Sequence, residues 1–310
     1  MSKPVHIVFA GAATVDMIFK VDALPPGPGK ILPKALVQVA HGMATSAATA
    51  AARLGGRCSL ITRIGDDMTG TRFLEDVRAE GVDCAMVRRF AGVATPLSAV
   101  IVDDDGERLI VPYYDPALGS DPDWIDAQAI AGADAVQVDI RWPQGAARVL
   151  DLAREAGKIA LLDADVGPTE IIIDLAQRAT HIVFSEPAAL AVSRCASIPE
   201  AVEVLARRFE GFVAVTAGAQ GCFWHEDGRV FHRPAPKVEA VDTLAAGDVF
   251  HGAFTLALAE GQPIAEAVAF ANTAAAISCT VFGGRLGAPD RATVEALMAA
   301  SDAPVGIAQY

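Results

Sequence analysis

The run Asp242-Thr243-Leu244-Ala245-Ala246-Gly247-Asp248, followed by Val249-Phe250-His251-Gly252-Ala253-Phe254, holds the residues of this 310-residue chain best suited to chemistry. Ala245, Ala246 and Gly247 leave their backbone amides uncovered, and the apolar stretch behind them predicts a helix. The first amides of a helix lack partners, and its positive dipole end favours an anion. Asp248 stands where it could take a proton from a hydroxyl beside that anion. An anion cradle next to a base is the minimum equipment for moving a phosphoryl group onto an alcohol. An Asp in a first helical turn is more often a plain dipole contact. Gly247 shifts that balance, because Gly inside a helix costs about 1 kcal/mol relative to Ala, and a close approach to its backbone would account for it.

The elements around this run must position it. Strand-like runs at 5–10, 59–64, 135–140, 159–163, 181–184 and Phe212–Thr216 alternate with helical patterns at 46–54, 69–80, 145–156, 171–178 and 199–209. That rhythm predicts βαβ units, a mostly parallel sheet and helices on both faces. Ligands of such sheets bind beyond the carboxyl ends of the strands. Asp16 is expected there, after the first strand. Two stretches break the rhythm, about 17–39 and 95–114. The second holds Leu97–Val102, the turn Asp103-Asp104-Asp105-Gly106 and an apolar run at 108–111, the pattern of a hairpin. With no helix to cover them, these strands are expected to form a lid or a dimer contact. One domain over 1–310 with this small β appendage is the expected organisation.

The formal charge of −13 argues against a nucleic-acid partner, whose phosphates need a basic face. It also means that an anionic substrate must be held by local geometry. No apolar run of about 18 residues suggests a membrane span, and Met1-Ser2-Lys3-Pro4 leads straight into a strand-like run, so no signal peptide is expected. Cys58, Cys84, Cys195, Cys222 and Cys279 are scattered without a C-x-x-C pair, which points away from zinc and toward a reducing cytoplasm.

The Asp242–Asp248 string resembles the D-T-x-G-A-G-D signature of the ribokinase-like, PfkB-type carbohydrate kinases, with Ala245 in place of the first glycine. Arg53-Leu54-Gly55-Gly56 and Ile64-Gly65-Asp66-Asp67-Met68-Thr69-Gly70 are similar to the family's N-terminal signature region. Thr216-Ala217-Gly218-Ala219-Gln220-Gly221 resembles its T-x-G-x-x-G phosphate loop, and Asn272 in Phe270-Ala271-Asn272-Thr273 its nucleotide-side helix. The resemblance implies a three-layer αβα sandwich with a β-sheet lid, ATP and Mg2+, and a sugar-like acceptor. Asp248 would be the base, and the amides of 245–247 would hold charge on the transferring phosphoryl group. The P-loop pattern G-x-x-x-x-G-K-S/T is absent.

On the acceptor side the resemblance assigns Asp16 to substrate hydroxyls. Gly42 and Thr45 lie where the family has G-G-x-x-x-N, with Ala40-His41 replacing the two glycines. Ser185-Glu186-Pro187-Ala188 replaces the family's N-x-x-E, so Ser185 is expected near the nucleotide and Glu186 near magnesium-bound water. Asp139-Ile140-Arg141-Trp142, Val183-Phe184-Ser185-Glu186-Pro187 and Gly283-Gly284-Arg285-Leu286-Gly287-Ala288-Pro289-Asp290 look closest to the sulfofructose kinases. In that group Arg141 and Lys30 would recognise a sulfonate, as a planar fork and a point charge. Pro112 and His41 alter that pocket, and His41 could add a donor. Asp242, Thr243 and residues 275–287 resemble a potassium loop. The expectation is an ATP-dependent kinase of an anionic ketose or sugar phosphate, as a homodimer. A neutral or carboxylated acceptor (ribose, fructose, 2-keto-3-deoxygluconate, a nucleoside) is the alternative. A sugar- or nucleotide-binding regulator on the same fold is the non-enzyme alternative.

Overall fold

The computed structural model describes residues 4–104, 106–300 and 308–309; Asp105 of the expected turn lies outside them. The first half runs β1 (His6–Ala10), β2 (Thr14–Lys20), β3 (Ala35–His41), α1 (Met43–Arg53), β4 (Arg57–Gly65), α2 (Met68–Ala79), β5 (Val87–Phe90), β6 (Leu97–Val102) and β7 (Arg108–Tyr113). Then follow α3 (Ala127–Ala131), β8 (Ala135–Asp139), α4 (Pro143–Glu155), β9 (Ile159–Ala164), α5 (Thr169–Ala176), β10 (His181–Ser185), α6 (Glu186–Ser193) and α7 (Ile198–Arg208). The chain closes with β11 (Phe212–Thr216), β12 (Cys222–Glu226), β13 (Arg229–Arg233), α8 (Ala246–Ala259), α9 (Ile264–Ser278), α10 (Arg291–Ala300) and β14 (Ala308–Gln309).

The large sheet has the order β14-β13-β12-β11-β10-β9-β8-β1-β4-β5. Neighbours from β11 to β5 are parallel, and β12 to β14 extend the sheet antiparallel. The chain adds β4 and β5 on one side of β1, then returns to add β8 to β11 on the other. That reversal is a switch point, and a crevice opens there beyond the carboxyl ends of β1 and β8. Both faces of the sheet are covered. Ile7 and Phe9 of β1 join one core with α1, α8 and α9, while Val8 and Ala10 join the other with α4 to α7. Small residues let α1 and α8 pack closely: a Cβ on Gly252 would collide with the Ala47 carbonyl. Among the described residues no helix is long and apolar enough to cross a membrane.

The small sheet has the order β3-β2-β6-β7, with β2 and β6 parallel. Ile18, Val39, Val100 and Val102 form its buried side. Leu109, Ile110, Val111 and Tyr113 of β7 stay exposed. The expected location of Asp16 is corrected here. It lies in β2 of the small sheet, not at the end of β1, which stops at Ala10 before Gly11, where an added Cβ would occupy the space of the Asp139 carboxylate.

A buried ion network ties the small sheet to the body. Arg285 has no exposed surface. Its Nη2 lies 2.8 Å from Asp76 Oδ2 as a charge contact without aligned hydrogen-bond geometry, and Nη1 is 3.1 Å from Glu80 Oε1. Its Nε donates to the carbonyl of Ala40 near the end of β3, and Asp76 accepts the Ala40 amide at 2.7 Å. Glu80 also takes two bonds of 2.8 Å from Arg53. Burial opposes charge on Glu80, but Arg53 and Arg285 outweigh it and hold the pKa below the ordinary value. Breaking such a network leaves buried charge uncompensated. Arg285→Met is therefore expected to lower stability by about 3–5 kcal/mol, read from urea unfolding of mutant and wild type.

Candidate active site

The mouth of α8 is shaped by Asp242. Its Oδ1 accepts the Leu244 amide at 2.9 Å, and its Oδ2 accepts those of Gly283 and Gly284 at 2.9 and 3.1 Å. Both oxygens of Asp242, the residue expected beside a monovalent cation, are bonded to backbone amides. The clamp turns the chain into Ala245, which caps α8 at φ +63°, a left-handed conformation that disfavours side chains. The Ala246 amide makes a long 3.3 Å bond to the Thr243 carbonyl. Gly247 faces open space, where an added Cβ would meet no heavy atom within 4 Å.

Asp248 follows at the floor of the crevice. Burial of its carboxyl holds the pKa well above the ordinary range, and Asp163, Asp139 and Asp165 add to this, while the Ser46 hydroxyl opposes it. Ser46 is fully buried on α1, and its Oγ has no aligned partner. Asp139, at the end of β8, accepts amides from Ala12 at 2.8 Å, Ala44 at 3.0 Å and Arg141 at 2.8 Å. Burial still raises its pKa against those three bonds. Behind Asp248, His251 Nδ1 bonds the Gly247 carbonyl at 2.6 Å, and Nε2 lies 3.4 Å from Asp163 Oδ1. Burial lowers the pKa of His251 and raises that of Asp163. His251 Nε2 also lies 3.4 Å from the Val183 carbonyl. Sequence reasoning missed Ser46, Asp163 and His251: a lone His in an apolar helix reads as core, and the three come from separate elements.

The acceptor side gathers around β2 and the start of α1. Asp16 is 5% exposed, and its Oδ1 accepts from the Thr14 hydroxyl at 2.7 Å. Gly42 caps α1 at φ +109°, with a Cβ there blocked by the Ala12 carbonyl. Thr45 is not an open wall of the pocket: it is fully buried, and its hydroxyl donates to Ala12 at 2.9 Å. His41 is buried too, so it is not the free donor that the sequence suggested. Arg141 is 39% exposed and bonded to Asp165 at 3.0 Å and the Val166 carbonyl at 3.0 Å. Lys30 lies exposed in the segment between β2 and β3, and Pro112 is exposed on β7.

A separate cavity of about 460 Å³ opens on the other side of the α8 mouth. Thr216, Gly218, Gly221, Ala246, Gly247 and Asn272 all line it, with Phe250, Val238, Ala275 and Ala276 giving it apolar walls. The anion-favouring helix end thus opens onto an apolar slot, which fits the phosphates and base of a nucleotide. Gly221 adopts φ +86° against the Arg233 carbonyl, and Asn272 Nδ2 donates to that same carbonyl at 3.0 Å. Thr216 bonds Phe184 at 3.3 Å. Ser185 caps α6, and its buried Oγ lacks a partner. Glu186 begins α6, half-buried, at the same strand ends.

This fold and this pairing of an anion-binding helix mouth with a buried carboxylate define a group-transfer site of carbohydrate-kinase type. The profile of the pfkB family carbohydrate kinases matches residues 5–291, and the chain belongs to that family. It is 29% identical to the ATP-dependent ribose-1-phosphate kinase of Halopiger xanaduensis, over 95% of this chain and 97% of that one. It is 26% identical to the ribokinase of Bacillus subtilis, over 94% and 99%. A solved structure from Agrobacterium tumefaciens, provisionally named a ribokinase, is 48% identical with a TM-score of 0.93, covering 96% of this chain and 98% of that one.

Four outcomes follow for the α8 mouth. Asp248→Asn should lower kcat roughly 10²–10⁴-fold with an unchanged circular dichroism spectrum. A carboxylate that takes up a hydroxyl proton must be ionised. Because its pKa is raised, kcat/KM should fall on acidification at a pH above the ordinary carboxylate range. Ala245→Gly should keep activity and change stability by less than about 1 kcal/mol, as relief of the left-handed strain offsets unfolded-chain entropy. Ala245→Val should lose more than about tenfold in kcat/KM, since a β-branched residue resists φ above zero.

Proposed function

We propose that this sugar kinase transfers the γ-phosphoryl group of ATP to a hydroxyl of a polyol sugar that carries an anionic group. The observation that supports the reaction most is the position of Asp248: one residue past an open glycine in the first turn of α8, with the nucleotide-sized cavity at Gly247. The acceptor oxygen forms a bond to the γ-phosphorus, the bond from phosphorus to the ADP oxygen breaks, and the hydroxyl proton passes to Asp248. Asp16 grips neighbouring hydroxyls of the acceptor. Mg2+ bound with ATP would neutralise phosphate charge. Glu186 fits a water-mediated contact to it, since such an ion keeps most of its waters and needs few protein carboxylates. A monovalent cation near Asp242 would be held chiefly by backbone carbonyl oxygens of the loop that the Asp242 carboxylate shapes.

Arg141 supports the anionic acceptor. It stands at the switch-point crevice with its guanidinium partly open, and the Halopiger relative is named for a phosphorylated sugar. A sulfonate such as that of sulfofructose presents the same kind of tetrahedral oxyanion. Its pairing with Asp165 favours a second reading, a neutral acceptor such as ribose or fructose. ADP release over ribose, fructose, ribose 1-phosphate, fructose 6-phosphate, sulfofructose and 2-keto-3-deoxygluconate, with and without potassium, separates the two. Under the first reading Arg141→Ala raises KM for the anionic acceptor at least about tenfold. Equal KM in mutant and wild type would leave the neutral reading.

The exposed apolar side chains of β7, with Leu36 of β3, support a homodimer through the small sheets. Ile110→Glu with Val111→Glu should then halve the mass read by light scattering. An unchanged mass would count against that interface. The five free cysteines agree with a reducing cytoplasm.

A further inference from the structure

His41 ends β3 where the small sheet passes through Gly42 into α1. Its imidazole is 6% exposed. Nδ1 lies 3.3 Å from Asp16 Oδ2, while the Thr14 hydroxyl holds the other oxygen at 2.7 Å. Nε2 has no hydrogen-bond partner among the described residues, and an added Cβ on Gly284 would sit 2.9 Å from it. The charged groups acting on the ring are Asp16 from β2, Asp242 from the segment before α8 and Arg285 from the segment between α9 and α10. Burial keeps the ring neutral against the pull of Asp16, and Arg285 acts with burial. A neutral imidazole has one N–H, and facing a carboxylate it belongs on Nδ1.

We propose that His41 is a positioning residue for the acceptor: its Nδ1, set 3.3 Å from Oδ2 as a charge contact without aligned hydrogen-bond geometry, and the Thr14 hydroxyl bonded to Oδ1 hold the Asp16 carboxylate in place, so that two neighbouring hydroxyls meet a preset pair of oxygens. His41 itself does not touch the sugar. Gly284, which packs on the free edge of the ring, is anchored through its own amide to Asp242. The acceptor carboxylate is thereby packed, through one ring and one glycine, against the clamp that shapes the α8 mouth. The inference rests on the reading of Asp16 as the acceptor-binding carboxylate.

Two measurements test it on the full chain. Long-range 1H–15N spectra of histidine-labelled protein, with His41 assigned by its loss in His41→Asn, should show a neutral ring protonated at Nδ1. A ring protonated at Nε2 would overturn the proposal whatever the acceptor is. Kinetics then use whichever sugar of the panel above gives the most ADP. The amide of Asn places its nitrogen near the position of Nδ1, whereas that of Gln reaches the position of Nε2. His41→Leu and His41→Gln should raise the acceptor KM by about three- to tenfold, the order of one polar contact to a charged group. KM for ATP should stay within about twofold, and His41→Asn should restore most of the lost affinity. Equal acceptor KM in all three, with Asp16→Asn raising it, would reduce His41 to a filler of space. No effect of Asp16→Asn would instead overturn the reading of Asp16.

Discussion

Three backbone amides converge on one buried carboxylate, Asp139, and the crevice depends on that convergence. Ala12 brings the turn after β1, Ala44 brings the first turn of α1, and Arg141 brings the turn after β8. Each amide would otherwise be a buried donor in need of a partner. The carboxylate occupies the space that a side chain at Gly11 would need, just where the chain passes from β1 toward the small sheet. The floor of the site, the start of its lid and the root of Arg141 are therefore set by one side chain at the switch point of the sheet.

The same crowding gives the site its electrostatic character. Burial, with the charges of Asp139 and Asp165, raises the cost of ionising Asp163 and Asp248, Asp163 adds to the cost for Asp248, and Arg141 eases it for Asp139 and Asp163. In a chain of net charge −13, such a floor repels a bare phosphate. The α8 mouth counters with geometry, an unobstructed glycine and the positive end of a helix dipole. The arrangement suits a nucleotide that arrives with its own cation and a base that must be available for a proton.

Much of this was legible in the sequence because it rests on local pattern. The strand and helix rhythm came from apolar runs and glycine stops, and the α8 mouth from small residues before an apolar helix. What was missed depends on contacts between distant segments. Asp16 belongs to β2 beyond Gly11, whose lack of a side chain leaves room for Asp139, over a hundred residues later. The Thr45 hydroxyl and the Asp242 carboxylate are bonded to backbone of distant segments, which no local pattern announces. The helix α6 follows β10 with no loop to announce it. The hairpin of β12 and β13 was signalled by Asp227-Gly228, both at positive φ, the pair that such a two-residue turn requires. His41 reads as a changed glycine in sequence and gains meaning beside Asp16 in space.

The central claim is that the group leaving ATP ends on a sugar oxygen. Phosphorus-31 magnetic resonance of the wild-type protein turning over ATP and the acceptor panel reads this directly. The account predicts ADP and a phosphomonoester of one sugar in equal amounts, with inorganic phosphate staying at background. ADP accompanied by inorganic phosphate alone, or ATP left intact beside every acceptor, would contradict it.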